Sequence, residues 1–397
     1  MKFYSHRVGM SGRLRLAATG VQDQWLTGEP QFSYFLMNFK RHTKFAIDHV
    51  ESQFDGQIDF GNIIECRIPN DKGDLVKNFT LKVILNDPTP DTPGFNNVYW
   101  TPSIMSHLIE YAELLIGGQT IERITGEYIY MHQQLHNTDD DTQQTLYFLN
   151  GHGGQPLSYQ GEYTYFMDLP FYFYRHPSLA IPTCALTKQL VEIRIKTRSL
   201  KELTYGVAPG NVAGNIRKFS VDTEFVFLTQ DERNFLMSRP IDYVITQLQM
   251  SQFVMKAGET KKSVMLNFSH PVKELFFVSQ SESSVSNNYS LEFNTIQNVE
   301  LRFNNEVVFN RNNKFLVYQQ ALKNYVNSPA QEFGMYSFSL NPNVHYPTGQ
   351  VNMSRISHKL FTIEIDPLTP TDDNNTRVYA VNYNVLRVES GLAGLKF

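Results

Sequence analysis

Cysteine is scarce in this sequence, since Cys66 and Cys184 are the only two among 397 residues. Two cysteines are too few for the disulfide framework of a small secreted domain. Each lies beside an apolar run, so we expect two buried free thiols. This pattern is typical of a protein made in a reducing compartment.

Long apolar runs and a strong net charge are absent as well. No stretch of 18 apolar residues occurs, so the sequence predicts no transmembrane helix. The first residues lack the apolar core of a secretory signal peptide. The formal net charge is −4, which argues against a general nucleic-acid-binding protein.

Signatures of common catalytic sites are also missing. There is no Gly-x-Ser-x-Gly elbow, and neither cysteine has a catalytic motif around it. Residues 151–154 (GHGG) lack the Lys-Ser/Thr pair and the strand-to-helix context of a phosphate-binding loop. We therefore predict no catalytic, cofactor-binding or metal-binding residues, and no cofactor.

A few side chains still have the type or spacing that a functional site would use. His132 and His136 are four residues apart on an expected helix over 126–137, which is a metal-ligand spacing, but no third ligand is specified nearby. His176 lies between expected strands and is interpreted as a structural or exposed histidine. The acidic runs 139–141 and 372–373 lack the spacing of an EF-hand, so we expect solvated turns.

Five Asn-x-Ser/Thr sequons occur in the sequence, and we expect none to carry a glycan because a signal peptide is lacking. The two best acceptors would be Asn288 and Asn374, which fall in predicted loops. The sequons begin at Asn78, Asn267, Asn288, Asn352 and Asn374.

Aromatic residues are abundant, with 29 Phe and 21 Tyr, and such residues favour β-strands. From Tyr163 to Phe173 every odd position is apolar, which predicts one strand face about two short strands long. Prolines at 177 and 182 then interrupt the ladder, because proline cannot donate to it. Residues 191–196 alternate apolar and charged, as in a half-buried strand. Strands separated by proline-marked corners indicate an all-β sandwich.

This pattern occurs twice in the chain. Four stretches of the first half have counterparts in the second half, in the same order, which predicts two copies of one β domain. The pairs are 113–135 and 300–322, 171–182 and 336–347, 190–195 and 360–365, and 221–227 and 379–385. Gly117-Gly118 and Asn304-Asn305 fall at equivalent places, and both pairs tolerate the positive φ of a tight hairpin turn.

The repeat predicts two tandem eight-stranded jelly rolls with short helices in their loops. We expect an N-terminal arm over residues 1–24, a first jelly roll over 25–232 and a second over 233–397. The arm carries Lys2, Arg7, Arg13 and Arg15 before its first acid, Asp23. It is therefore either a contact for an anionic surface or a mobile solvated terminus.

Three parts of the sequence carry a family resemblance. They are residues 12–31 with 39–46, residues 169–182 (LPFYFYRHPSLAIP) and residues 336–356 (YSFSLNPNVHYPTGQVNMSRI). In these stretches, and over nearly its whole length, the chain resembles the major capsid proteins of the nucleocytoplasmic large DNA viruses.

The resemblance implies a double jelly roll and a structural role without enzymatic activity. Three subunits would form a pseudo-hexagonal capsomer, and capsomers would tile an icosahedral shell over an inner membrane. The implied partners are two further copies of the chain, neighbouring capsomers, minor capsid proteins and the inner viral membrane, the last two through the arm, with no direct nucleic-acid contact. The implied location is the outer shell of the virion, assembled in the host cytoplasm.

Alternatives remain open on the residues alone. One is a minor capsid paralogue with the same double jelly roll. Another is a glycoamidase-like hydrolase with carboxylates between the domains, although the sequence nominates no convincing pair of acids. A third is a glycan-binding module with aromatic loops.

Overall fold

The computed structural model describes residues 10–37, 39–86, 88–90, 99–136, 140–152, 162–205, 212–282, 292–327, 329 and 333–397. The chain comprises two compact units that divide between Lys44 and Phe45. Within the described part, the smaller unit contains two short helices, α1 (Met10–Ala17) and α2 (Gln24–Thr27). The larger unit contains the strands.

Twelve described strands lie in the first half of the larger unit. They are β1 (Phe45–Gln53), β2 (Ile63–Ile68), β3 (Leu75–Asn86), β4 (Thr89–Pro90), β5 (Tyr99–Trp100), β6 (Ile109–Ile116), β7 (Gln119–Thr125), β8 (Glu162–Asp168), β9 (Val191–Thr197), β10 (Thr204–Tyr205), β11 (Val212–Ala213) and β12 (Ile216–Leu228). Two antiparallel four-stranded sheets result, in the orders β1-β12-β3-β8 and β2-β9-β6-β7. The remaining strands pair as β10-β5 and β11-β4. We call this half the first lobe.

Ten described strands lie in the second half, the second lobe. They are β13 (Ile241–Met255), β14 (Lys261–Met265), β15 (Pro271–Ser281), β16 (Thr295–Phe303), β17 (Glu306–Asn312), β18 (Gly334–Ser337), β19 (Val351–Asn352), β20 (Lys359–Asp366), β21 (Asn374–Glu389) and β22 (Leu392–Leu395). The two sheets have the orders β13-β21-β15-β18 and β14-β20-β16-β17. Strand β19 adds to β15, and β22 adds to β21.

The eight main strands of each lobe pair in the same order. Numbered along each lobe, strand 1 pairs with 8, 8 with 3 and 3 with 6, and in the facing sheet 2 pairs with 7, 7 with 4 and 4 with 5. Both lobes are therefore jelly rolls, and the predicted duplication is confirmed. Residues 113–135 and 300–322 are equivalent, because each comprises a hairpin followed by a helical turn.

The two hairpin turns show why these residue pairs recur. Gly117 and Gly118 have φ values of 59° and 79°, and Asn304 and Asn305 have 49° and 72°. Positive φ at both central residues is what a two-residue hairpin turn of this hand requires, and glycine and asparagine tolerate it. The predicted turns are confirmed.

Alternation of burial along the strands fills the two cores. In β9, Val191, Ile193 and Ile195 point inward, and the residues between them are only partly covered. Phe171 packs in the first core and Ile363 in the second, both fully buried. The first core continues into the second lobe through Phe276 and Tyr379, so apolar contact joins the lobes.

The prediction of a strand running through Phe173 is wrong. Strand β8 ends at Asp168, and Tyr172–Arg175 form a 3₁₀ turn. Pro170 cannot donate to the ladder, and the Tyr172 N–H donates to the buried Glu122 carboxylate at 2.7 Å instead of to a strand. The side chains of Phe171 and Phe173 are still buried, which is why the alternation of the sequence extends past the strand.

The remaining helices connect the strands. They are α3 (Ile104–Leu108), α4 (Gly126–His136), α5 (Asp140–Asn150), α6 (Leu200–Leu203), α7 (Gln230–Ser238) and α8 (Gln320–Tyr325), with 3₁₀ turns at Pro177–Leu179, Thr183–Ala185 and Met353–Arg355 and a π turn at Lys314–Gln319. The predicted helix over 126–137 is confirmed as α4, and residue 137 lies outside the described residues. Asp140 and Asp141 lie in helix α5 and not in the turn that the sequence predicts. None of the described helices is long and apolar enough to cross a membrane.

Helix α7 connects the lobes, and the predicted boundary between residues 232 and 233 falls inside it. The domain limits 1–24, 25–232 and 233–397 stay predictions.

Candidate functional site between the lobes

A buried ion pair joins α4 of the first lobe to β21 of the second. Arg377 donates to both carboxylate oxygens of Glu127, with Nε–Oε2 and Nη2–Oε1 distances of 2.8 and 2.6 Å, and the Tyr379 hydroxyl donates to the same carboxylate. Burial raises the pKa of Glu127, but the charge of Arg377 and these hydrogen bonds outweigh it and hold the pKa below its ordinary value. Both charges are therefore present at neutral pH.

Gly126 sets where this ion pair forms. It is the first residue of α4, and a Cβ atom there would lie 1.9 Å from the Ser106 carbonyl oxygen and 2.2 Å from that of Ile109. Only glycine lets the first turn of α4 pack so closely against the backbone where α3 ends and β6 begins. The carboxylate of the next residue, Glu127, is thereby aimed at the second lobe.

Backbone and side-chain hydrogen bonds join the lobes at further points. Gln247 donates to the Ile121 carbonyl oxygen at 2.5 Å, and Asn327 donates to that of Gln134 at 2.5 Å. The Ala393 N–H donates to the Gln189 side chain at 2.6 Å. Together with the shared apolar core, these contacts hold the two jelly rolls as one body.

A second group of buried ionisable side chains lies at the same junction. Lys273 and Glu274 of β15 are both almost fully buried, 3.1 Å apart, and Tyr325 donates to Glu274 at 2.6 Å. Burial, together with the nearby charge of Arg175 of the first lobe, lowers the pKa of Lys273 to about 8. Burial raises the pKa of Glu122 to about 8, so this carboxyl is largely protonated at neutral pH.

The two histidines with metal-ligand spacing are packing groups in the described structure. The rings of His132 and His136 stack on α4 with their centroids 3.8 Å apart, and the His136 ring lies 5.1 Å from that of Tyr325. Burial lowers the pKa of His136 to about 4 and that of His132 well below its ordinary value, so both are neutral at pH 7. The part of the chain that the structure describes contains no group of three or more His, Cys, Asp or Glu residues able to hold a metal ion. The prediction of no metal site stays a prediction.

The other singled-out histidines also have identifiable contacts. His176 of the first lobe stacks on His345 of the second, with centroids 3.9 Å apart, so it is a half-buried junction residue. His152 is buried, and its Nε2 lies 2.8 Å from Nε2 of Gln134. No pattern in the sequence indicates the His176–His345 pair, because the two residues belong to different copies of the repeat.

The predicted free thiols are confirmed, since Cys66 and Cys184 are both unpaired and buried. Burial raises the pKa of Cys66 to about 12 and also raises that of Cys184. Neither sulfur is a thiolate at neutral pH, so neither has the state that a cysteine nucleophile requires. The reducing compartment stays a prediction.

The prediction that Asn374 lies in a loop is wrong. It is the first residue of β21, almost fully buried, and accepts a hydrogen bond from Asn294 at 2.8 Å. The long strand extends into a stretch whose polar sequence suggests a loop. Asn288 and Asp139 lie outside the described residues. Asp373 is not simply solvated, because it pairs with Lys256 at 2.6 Å and accepts the Ala257 N–H at 3.0 Å.

Exposed apolar side chains lie on both lobes. Phe45 and Ile47 of β1 and Val244 of β13 are between 41% and 51% exposed, and Leu340 is 89% exposed. Apolar groups on outer sheet faces favour contact with another protein surface.

The smaller unit also exposes large apolar side chains. Trp25, Phe35 and Met37 are 89%, 96% and 93% exposed. Arg13 and Arg15 lie on α1 and are exposed, whereas Lys2 and Arg7 lie outside the described residues.

Comparison with protein families gives two matches along the chain. Residues 33–217 match the family described as the major capsid protein N-terminus, and residues 232–394 match the large eukaryotic DNA virus major capsid protein family.

Two curated relatives and one solved structure extend this result. The major capsid protein of Pyramimonas orientalis virus is 28% identical over 416 residues, covering 97% of this chain and 99% of that protein. The major capsid protein of Paramecium bursaria Chlorella virus 1 is 26% identical over 453 residues, covering 98% and 100%. A quasi-atomic structure of the PBCV-1 virus capsid aligns with a TM-score of 0.76 at 21% identity, covering 92% of this chain and 100% of that one, and so shares the fold. The chain therefore belongs to the major capsid protein family of the nucleocytoplasmic large DNA viruses.

Proposed function

We propose that this capsid protein forms a homotrimeric, pseudo-hexagonal capsomer that tiles the outer shell of an icosahedral virion. The observation that carries the proposal is the equal strand order of the two lobes. Three such chains present six similar lobes around a threefold axis, which approximates a hexagon. A hexagonal outline is what close tiling of a shell requires.

The subunit interface in this trimer is heterologous, because a surface of the first lobe meets a different surface of the second lobe. The half-exposed apolar residues of β1 and β13 supply apolar contact area. The stretches over 86–97, 138–160, 279–290 and 369–376 differ in sequence between the two halves, and they supply the difference between the two surfaces. An obligate interface of this kind buries more than roughly 2,000 Å² in total.

The role is structural and not enzymatic. The junction does contain buried carboxyl groups, those of Glu122, Glu127 and Glu274, but each is already committed to a structural contact. Glu127 is neutralised by Arg377, and Glu274 lies against Lys273 and accepts from Tyr325. Glu122 accepts the Tyr172 N–H in a buried setting that favours its protonated form. A hydrolase with carboxylates between the jelly rolls would need two acids free to reach a substrate.

A major shell role is favoured over a minor capsid paralogue. The relatives named as major capsid proteins align over nearly their full length and nearly the full length of this chain. The domain limits 1–24, 25–232 and 233–397 belong to this proposal.

The N-terminal arm contacts minor capsid proteins and the inner viral membrane on the inner side of the shell, and the chain does not bind nucleic acid directly. The exposed basic residues Arg13 and Arg15 suit an anionic membrane surface, and the exposed Leu14 and Leu16 suit an apolar partner. Assembly takes place in the host cytoplasm.

Sedimentation equilibrium of the purified protein tests the oligomeric state. We expect a mass three times the 45.8 kDa of the chain, independent of concentration across the micromolar range. A monomer at all concentrations would refute the trimer and favour the hydrolase or the glycan-binding module.

A further inference from the structure

A cavity of about 520 Å³ lies at the junction and is lined by both lobes. The first lobe contributes α3, β6, β7, α4 and the residue that follows β9, and the second contributes β13, β15 and β21. Neither jelly roll forms the cavity alone. The proposed shell function does not use it.

Three polar atoms of the residues that line this cavity lack a hydrogen-bond partner among the described residues. They are Nε2 of His107, Nε of Arg198 and Oδ1 of Asn375, and all three are buried. Buried polar groups are nearly always paired in folded proteins, so unpaired ones need an explanation such as a bound group. Two of these atoms come from the first lobe and one from the second.

The charges around the cavity favour an anion. Its two glutamates already have close cationic partners, since Glu127 pairs with Arg377 and Glu110 lies 2.8 Å from Lys196. Two lining arginines have only longer contacts with carboxylates. Arg198 lies 3.6 Å from Glu202, and Arg123 lies 3.8 Å from Glu113.

His107 and Asn375 add neutral hydrogen-bonding groups. Burial, with the nearby charge of Arg198, lowers the pKa of His107 to about 3, so its imidazole is neutral and can donate one hydrogen bond to an oxygen. The amide oxygen of Asn375 can only accept, so its partner must carry a hydroxyl or an amine.

We propose that this cavity binds a small organic anion that also carries a hydroxyl group. The anionic oxygens accept from Arg198 and Arg123, and the hydroxyl donates to Asn375. A hydroxycarboxylate and a sugar phosphate both have this chemistry. Because both lobes line the cavity, the bound anion bridges them.

Thermal unfolding of the full-length protein with defined probes tests the proposal. The probes are citrate, glucose 6-phosphate, sulfate and uncharged glucose, each at constant ionic strength adjusted with sodium chloride. We expect citrate or glucose 6-phosphate to raise the Tm by roughly 2–5 °C at 100-fold above its Kd, and glucose to leave it unchanged. The responding probe distinguishes a carboxylate from a phosphate ligand.

Variants locate the binding. Arg198→Gln and the more exposed Arg123→Gln should each weaken binding at least tenfold. Asn375→Leu should weaken the hydroxylated probes but not sulfate, which carries no hydroxyl at neutral pH. The matched control is Arg67→Gln, which removes an exposed ion pair with Glu192 on β2, away from the cavity, and should leave binding unchanged.

Two results would overturn the proposal. One is a shift of equal size for every anion and in every variant, which indicates an adventitious ion only. The other is a crystal structure of the wild-type protein with the stabilising probe that shows no density beside Arg198. The crystal structure remains decisive if a variant fails to fold, because it uses the wild-type protein. Neither the unfolding measurement nor the crystal structure depends on capsomer assembly.

Discussion

Glu127 and Arg377 form a two-hydrogen-bond ion pair although 250 residues separate them in the chain. One residue belongs to each jelly roll, and both are almost fully covered. The pair fixes the relative position of the lobes, on which the capsomer geometry depends.

We expect Arg377→Leu to destabilise the protein by about 3–5 kcal/mol, because it leaves the Glu127 charge buried without a partner. The double variant Glu127→Leu/Arg377→Leu should lose less stability than the single variant, because no buried charge remains unpaired. The exposed pair Arg67–Glu192 provides the control, and Arg67→Gln should cost less than about 1 kcal/mol. Urea denaturation followed by circular dichroism measures all three. Equal losses for the single and double variants would contradict the assigned role of the pair.

Gly126→Ala should cost at least about 3 kcal/mol or prevent folding, because the added Cβ collides with two backbone carbonyl oxygens. Backbone atoms cannot rotate away as the end of a side chain can. Gly12→Ala on α1 is the control, since a Cβ there meets nothing within 4 Å and alanine favours a helix. Thermal unfolding compares the two. A Gly126→Ala protein as stable as the wild type would show that α4 does not pack against the backbone in this way.

We expect the titration of Glu122 to lower the free energy of unfolding as the pH rises. Its pKa is raised from 4.5 to about 8 on folding, so between these values the folded state holds a proton that the unfolded state releases. Its stabilising contribution is complete below pH 4.5 and is lost as the pH rises to 8, with a slope of up to about 1.4 kcal/mol per pH unit.

Glu122→Gln retains an acceptor for the Tyr172 N–H but does not titrate. The free energy of unfolding, compared for both proteins from pH 4.5 to 8, should show the variant gaining on the wild type as the pH increases. A constant difference across this range would mean that Glu122 is ionised in the folded protein.

Much of the fold could be predicted from local sequence pattern. Strand β9 and the hairpin turn at Asn304-Asn305 could both be predicted, because each depends only on residues that are neighbours in the sequence. The internal repeat also predicted two jelly rolls, a fold in which strands far apart in the sequence pair with each other. The 3₁₀ turn after Pro170 could not be predicted, because its cause is a hydrogen bond from Tyr172 to Glu122, fifty residues away in the chain.

The junction was beyond sequence reasoning for the same reason. Glu127 resembles any acidic residue in the first turn of a helix, and only the packing of the second lobe reveals Arg377. His176 likewise gives no sign of His345. The prediction of a loop at Asn374 is wrong because a polar run can continue a buried strand when neighbours such as Asn294 supply hydrogen bonds.

Deletion of residues 2–15 should leave the trimer intact but reduce incorporation into particles, because we propose that the arm makes contacts on the inner side of the shell. Sedimentation measures the first property, and the yield of assembled particles measures the second. Replacing Arg13 and Arg15 with glutamine separates charge from length. Cleavage of the arm by protease added outside intact particles would contradict its inner location.

Cryo-electron microscopy of the purified protein tests the capsomer most directly. We expect particles with a hexagonal outline, six lobes and only threefold symmetry, in which two kinds of lobe alternate around the ring. Single two-lobed particles, or rings with six equivalent chains, would contradict it.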